Sequence, residues 1–214
     1  MRRLIVVAVA LAVMFLGPSA QAQLVSRDLV ISVCGGAGFP LGDYPVATFG
    51  SRVQTGVGGN LAVDRMLTGR ISVGAAIGII QNNMDVEDLL HGKYSQERPD
   101  FKWRTMQASA RGRCYFFTDR PLAVFGQFGT GIYLNKFSSN YEYDAGQGTV
   151  QQIKRSDTHT DFGMNLGAGA LLRVSRSAFV TLEATANHVF TTKGHVRYIG
   201  LLGGLVFRIP MTGQ

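Results

Sequence analysis

The chain has 214 residues, 46% of them hydrophobic and only 16% charged, with 27 Gly, 6 Pro and 2 Cys. Such hydropathy excludes a disordered chain, and two cysteines are too few for a disulfide framework. The formal charge of +7 is scattered rather than gathered in runs, which speaks against a nucleic-acid partner.

The chain opens with Arg2 and Arg3, an apolar run from Leu4 to Leu16, then Gly17, Pro18 and Ser19-Ala20-Gln21-Ala22. A charged start, a short apolar stretch and a small-x-small ending predict a signal peptide over 1–22, cleaved near Ala22. The run is too short for a membrane helix, which needs ~20 residues. The 21 Lys+Arg less Arg2 and Arg3 leave 19 against 14 Asp+Glu, so the mature chain, residues 23–214, stays mildly basic.

Beyond residue 22, period-two alternation recurs and predicts eight strands, at about 28–39, 51–64, 70–81, 102–117, 121–135, 161–174, 179–190 and 196–209. In the second, Val53, Thr55, Val57, Leu61 and Val63 oppose Arg52, Gln54, Gly56, Gly58, Asn60 and Asp64. In the third, Ile71, Val73, Ala75, Ile77 and Ile79 alternate with Ser72, Gly74, Ala76 and Gly78. In the fourth, Met106, Ala108, Ala110, Cys114 and Phe116 alternate with Gln107, Ser109, Arg111, Arg113 and Tyr115. The sixth sets Phe162, Met164, Leu166 and Leu172 against Asp161, Asn165 and Arg173, and the seventh sets Val180 and Leu182 against Thr181 and Glu183. Pro40, Pro45, Pro99, Pro121 and Pro210 fall between or at the ends of these strands, where a missing N–H is tolerated.

Connections alternate in length. Long ones cover about 40–50, 82–101 and 136–157, with a shorter one at 191–195, and tight turns sit near 65–69, 118–121 and 175–178. Within the third long connection, Tyr141-Glu142-Tyr143 and Thr149 to Ile153 read as a projecting hairpin. One strand face is almost purely apolar and the other carries Gly, Ser, Thr, Asn, Gln and charges. A lipocalin-type soluble barrel needs a charged exterior that is missing here. The small, polar face suits a narrow lumen, so the expected fold is all-β, an eight-stranded antiparallel transmembrane up-and-down barrel with its apolar face outward.

That polarity places Arg52, Asp64, Arg111, Arg113, Asp161, Arg173 and Glu183 in the lumen, where charges must pair in a space too narrow for bulk water. Cys34 falls on the lumenal face and Cys114 on the lipid face, so no disulfide is expected between them. Phe39, Phe101, Trp103 and Phe190 are expected as an outer aromatic girdle, with Phe116 and Phe207 at the inner rim. The acids Asp85, Glu87, Asp88, Glu97 and Asp100 of the second long connection have no defined calcium-loop order and read as a solvated loop.

The strand pattern of residues 23–214 resembles the small outer-membrane β-barrel superfamily, and the run Gly35-Gly36-Ala37-Gly38-Phe39-Pro40-Leu41-Gly42-Asp43-Tyr44 looks like its strand-one-to-loop passage. That group holds the transmembrane domain of outer-membrane protein A, outer-membrane protein X and the opacity-type adhesins. The chain departs from it in running on from Phe207 to Gln214, where family members often end on an aromatic residue. The resemblance implies a bacterial outer-membrane location among lipid and lipopolysaccharide, and an eight-strand lumen, filled by its own side chains, is expected to form no general pore.

Function then falls to the loops, as a structural or adhesin-like surface role toward a protein or host-surface ligand, with Tyr94, Trp103, Tyr141 and Tyr143 as contact candidates. The chain would be a monomer or an accessory subunit of a larger envelope complex. A lipid A-modifying enzyme is the lesser alternative: His188 is turned toward lipid by parity, and His159-Thr160-Asp161 is a weak tripeptide match to a nucleophile, base and orienter. No catalytic residue, cofactor or metal is assigned, and the chain is expected not to be an enzyme.

Overall fold

The computed structural model describes residues 27–41, 52–85, 100–118, 120–144, 150–192 and 194–211. The expected signal segment with its cleavage site and most of the first and second long connections lie outside the described residues.

Alternation of apolar and small polar residues forces neighbouring side chains to opposite faces of an extended chain. Among the described residues it builds nine strand segments: β1 (Leu29–Pro40), β2 (Arg52–Val53), β3 (Gly56–Met66), β4 (Ile71–Asp85), β5 (Asp100–Phe116), β6 (Leu122–Asp144), β7 (Val150–Arg173), β8 (Ala178–Thr191) and β9 (Gly194–Ile209). β1 pairs antiparallel with β3, β3 with β4, β4 with β5 and so on in order to β9, and β1 pairs with β9 from Leu29↔Ile209 to Pro40↔Tyr198. The sheet therefore closes on itself. β2 and β3 belong to one stave, so the barrel has the eight staves that the alternation predicts, and closure leaves no edge within the barrel wall.

The second stave is not continuous. Val57 pairs with Gln81 but Val53 with Met84, so four residues on one strand advance against three on the other. The extra residue is a bulge, and a bulge reverses parity beyond it. Val57 is 73% exposed on the outer face, whereas Val53 packs against the buried cluster that holds Ile80 and Trp103. The expectation that both share the apolar face is corrected by this break.

β6 and β7 run further than expected. They stay paired from Leu122↔Leu172 to Asp144↔Val150, so most of the segment 136–157 is strand rather than loop. Beyond Leu134 the outward residues of β6 turn polar, and the stretch 136–144 adds roughly 20 Å of height above the apolar band. β5 stays paired with β6 as far as Asp100↔Asn140, so the hairpin read from Tyr141 to Ile153 is the two-stranded tip of a wall that is three-stranded below it.

At the opposite end the turns are short and capped by hydroxyls. Thr68 Oγ1 accepts from the N–H groups of Arg70 and Ile71, and Ser175 Oγ accepts from those of Ser177 and Ala178. Each supplies acceptors that a tight turn leaves missing. The third turn carries Phe117 at φ 57°, a left-handed backbone uncommon outside glycine.

Outward-facing Val33, Leu61, Ile77, Phe128, Leu166, Leu182 and Leu205 form a band around the barrel. Phe39, Phe190, Phe116 and Phe207 stand outward near its edges, and Phe162 stacks on Phe190 at 6.2 Å. Phe101 has no described side chain. Trp103 does not belong to this girdle: it is only 4% exposed and lies inside the barrel. β5 keeps its parity without a break through 100–116, which puts Trp103 on the face of Thr105, Ser109, Arg111 and Arg113.

Candidate functional site

The lumen is filled in layers from the turn end upward. At its base Arg208 Nε donates to Asp28, an ion pair that joins β9 to the residue before β1. Above it Val30, Met66, Tyr115, Ala123, Phe125, Leu171, Phe179 and Val206 form a buried apolar plug.

The charged layer follows. Arg111 grips Asp64 with two bonds, Nε to Oδ1 at 2.8 Å and Nη2 to Oδ2 at 2.6 Å, and Nη2 also donates to Ser32 Oγ at 2.9 Å. Arg113 Nη2 donates to Glu183 Oε2 at 2.7 Å and its Nε to Gln127 Oε1 at 2.9 Å. The Arg113 guanidinium lies 4.5 Å from the centre of the Phe125 ring, a cation–π contact across the top of the plug. Cys34 donates its thiol proton to Glu183 Oε1 at 3.1 Å. Bidentate and bridging geometry of this kind is what makes buried charge tolerable.

Two glycines make room for it. Asp64, Gly74 and Arg111 stand in register on β3, β4 and β5, so the ion pair crosses over Gly74. A Cβ there would lie 2.1 Å from the Val63 carbonyl oxygen and 2.4 Å from Asp64 Oδ1. Phe125, Gly169 and Glu183 align likewise on β6, β7 and β8, and a Cβ on Gly169 would lie 2.4 Å from the Phe125 ring.

Above the charges a polar cavity is lined by Asn60, Gln107, Gln127, Asn165, Thr185 and Asn187 among others. Its room for water centres is about 50 Å³, enough for a few waters and far from a channel. It is roofed by Ile80, Trp103, Tyr133, Val189, Val196 and Tyr198, with Val53 and Phe137 against them. Within the roof a hydrogen-bond chain runs from Trp103 Nε1 to Thr105 Oγ1, from Thr105 to Asn135 Oδ1, and from Asn135 Nδ2 to Asp161 Oδ2.

Of the predicted lumenal charges, the structure therefore brings Asp64, Arg111, Arg113 and Glu183 together. Asp161 stands apart at the roof, and Arg173 lies half-buried at the turn end, where its backbone N–H meets the Pro121 carbonyl. Arg52 begins β2, but its side chain lies outside the described ones. Sequence reasoning missed the Asp28–Arg208 pair, although Asp28 has the parity of Val30 and Ser32. It also missed Cys34 and Gln127 as partners, because neither residue type announces itself as a charge acceptor.

Tyr94 lies outside the described residues, and Tyr141 and Tyr143 are described only as backbone of β6. Trp103, buried in the roof, is withdrawn as a loop contact. Cys34 and Cys114 are both free, one buried and one exposed outward. His188 faces outward beside His195, Nε2 to Nδ1 at 3.3 Å, with the Phe190 ring 4.6 Å away. His159 Nε2 lies 3.8 Å from Asp157 rather than on Asp161, and both partners are about half exposed. Among the described residues no group of three or more His, Cys, Asp or Glu converges as a metal site.

The chain matches the family model for the outer membrane protein beta-barrel domain over residues 8–208. No curated protein matches it. Similar solved structures include a major outer membrane protein from Thermus thermophilus, 16% identical, covering 85% of this chain and 99% of that one at a TM-score of 0.55. OprG from Pseudomonas aeruginosa is 12% identical, with coverages of 90% and 100% and a TM-score of 0.53. Neisserial surface protein A is 15% identical, with coverages of 85% and 97% and a TM-score of 0.49. At these identities the likeness to the first two is one of fold.

Proposed function

The chain belongs to the outer membrane protein β-barrel domain family and resides in the bacterial outer membrane; from that membership we propose that it is a surface-display barrel whose working part is the β6–β7 projection. The carrying observation is the unbroken pairing of a 23-residue and a 24-residue strand. A bilayer crossing needs only about 9–11 residues per strand, so the remainder is presented above the apolar band, backed by β5 as far as Asn140 and two-stranded beyond it. A projection of this kind suits recognition of a protein or host surface, because little ordering is left to be done on binding.

A filled lumen supports a role outside the barrel rather than through it. We also read the chain as non-catalytic. His188 is packed against His195 and Phe190, with no serine or carboxylate among its described contacts.

The test is to replace residues 138–156 by a two-residue turn and compare whole-cell adhesion to host cells and matrix proteins. Heat-modifiable migration of the variant establishes that the barrel still inserts. Loss of adhesion with insertion retained is the expected result; unchanged adhesion ends this reading. Native size in mild detergent separates the alternative, since a large defined assembly would make the barrel an accessory subunit.

A further inference from the structure

On the outer face of β5 and β6, Arg104 and Lys136 stand directly opposite each other in register, both exposed. Like charges in such a cross-strand position repel and destabilise the sheet. Among the described residues neither is in an ion pair, although one acid among the neighbours would remove the conflict. Instead Gln81 of β4 accepts from Arg104 Nε at 3.3 Å and Nη2 at 2.8 Å, which draws the guanidinium away from Lys136 and holds it while leaving N–H donors for a ligand. Lys102 adds a third cation two residues higher on the same face.

The height of the pair is equally specific. Two residues below are Met106 and Leu134, exposed members of the apolar band, with Ile79 alongside on β4. Arg104 and Lys136 are thus the first charged side chains above the hydrocarbon on these strands. The acids Asp85 and Asp100 come only at the strand tips. A cationic pair at that level, flanked by Gln81, Asn83 and Ser138 as further hydrogen-bonding groups, complements an anionic headgroup whose acyl chains lie on the band.

We propose that Arg104 and Lys136, positioned by Gln81, form a binding site for the phosphate of a phosphorylated glycolipid in the outer leaflet. The phosphate neutralises both cations at once, so the repulsion in the bare barrel becomes selectivity for the lipid. Lys136 stands at the foot of the β6–β7 projection, so the site does not rest on any adhesive role of the tip above it.

The full chain and the double variant R104Q/K136Q are folded into phosphatidylcholine vesicles, alone or with diphosphorylated or dephosphorylated lipid A. Lipid retained on the purified barrel and the urea midpoint for unfolding are then measured. The native chain is expected to retain the diphosphorylated form preferentially, and the double variant to lose that preference by tenfold or more, since each cation contributes about fivefold at an anionic surface. In plain phosphatidylcholine the variant is expected to match or exceed the native midpoint, and in diphosphorylated lipid A to fall below it. A control, R65Q/R70Q, removes equal charge at the turn end and is expected to keep the preference. Equal retention of both lipid A forms by the native chain, an undiminished preference in R104Q/K136Q, or an equal loss in the control would overturn the site.

Discussion

Gly74 carries as much of the lumenal network as the charges do, because the pair between Asp64 and Arg111 spans the width of β4 directly over it. Gly74→Val places atoms where Val63 and Asp64 already stand, and the expected cost is about 2–4 kcal/mol from overpacking and a distorted ion pair. Urea unfolding in lipid vesicles measures it, and a midpoint equal to that of the native chain would refute the crossing. Glu183→Ala removes the partner of both Arg113 and Cys34. It should cost about 3–5 kcal/mol by leaving the buried Arg113 guanidinium with Asp64, at 3.9 Å, as its remaining carboxylate. The network also dictates thiol behaviour. In the folded barrel Cys114, outward and exposed, should react with a lipid-permeant maleimide, whereas Cys34 should label only after unfolding. Mass mapping of the labelled peptides checks this, and equal labelling would mean the strand registers are shifted.

At the scale of the element, each strand is a record of two solvents read alternately, and the record is legible only where the solvents differ. Leu166 is 66% exposed in the middle of β7, so Leu166→Arg should cost about 2–4 kcal/mol in a bilayer. Thr158→Arg, on the same face above the band, should cost little. Comparing the folding midpoints of the two variants tests the placement of the hydrocarbon, and equal effects would contradict it. This two-solvent logic explains why eight strands could be read from alternation alone, and why Ile71 to Ile79 or Phe162 to Leu172 were unambiguous. It also explains the failures. From Lys136 to Asp144 and from Val150 to Thr160 both faces lie beyond the apolar band, so alternation fades and the sequence resembles a loop although the pairing continues. The bulge after Val53 was hidden because inserting one residue changes parity without changing composition. Trp103 was misplaced for a different reason: its aromatic character suggested an interface, while the parity of Arg111 and Arg113 on the same strand already turned it inward.

Across the whole molecule, three barriers stand in series along one axis. The apolar plug around Phe125 and Leu171 closes the turn end, the Arg111–Asp64 and Arg113–Glu183 pairs close the middle, and the roof of Trp103, Tyr133 and Tyr198 closes the outer mouth. The partners needed for the middle barrier were legible as charges of one parity, but their pairing was not, since register between distant staves sets which charges meet. A series arrangement behaves differently from a single gate, because opening one member leaves the others shut. Removing the roof with Trp103→Ala and Tyr133→Ala should enlarge the cavity beneath it and admit water without creating a path. Liposome-swelling assays with a monosaccharide should therefore give no uptake for the native chain or for this double variant. A further Glu183→Ala change should still leave the plug in place and the liposomes unswollen, even as stability falls. Swelling by the native chain would show that the lumen conducts, and swelling by the roof variant alone would show that the charged layer is no barrier.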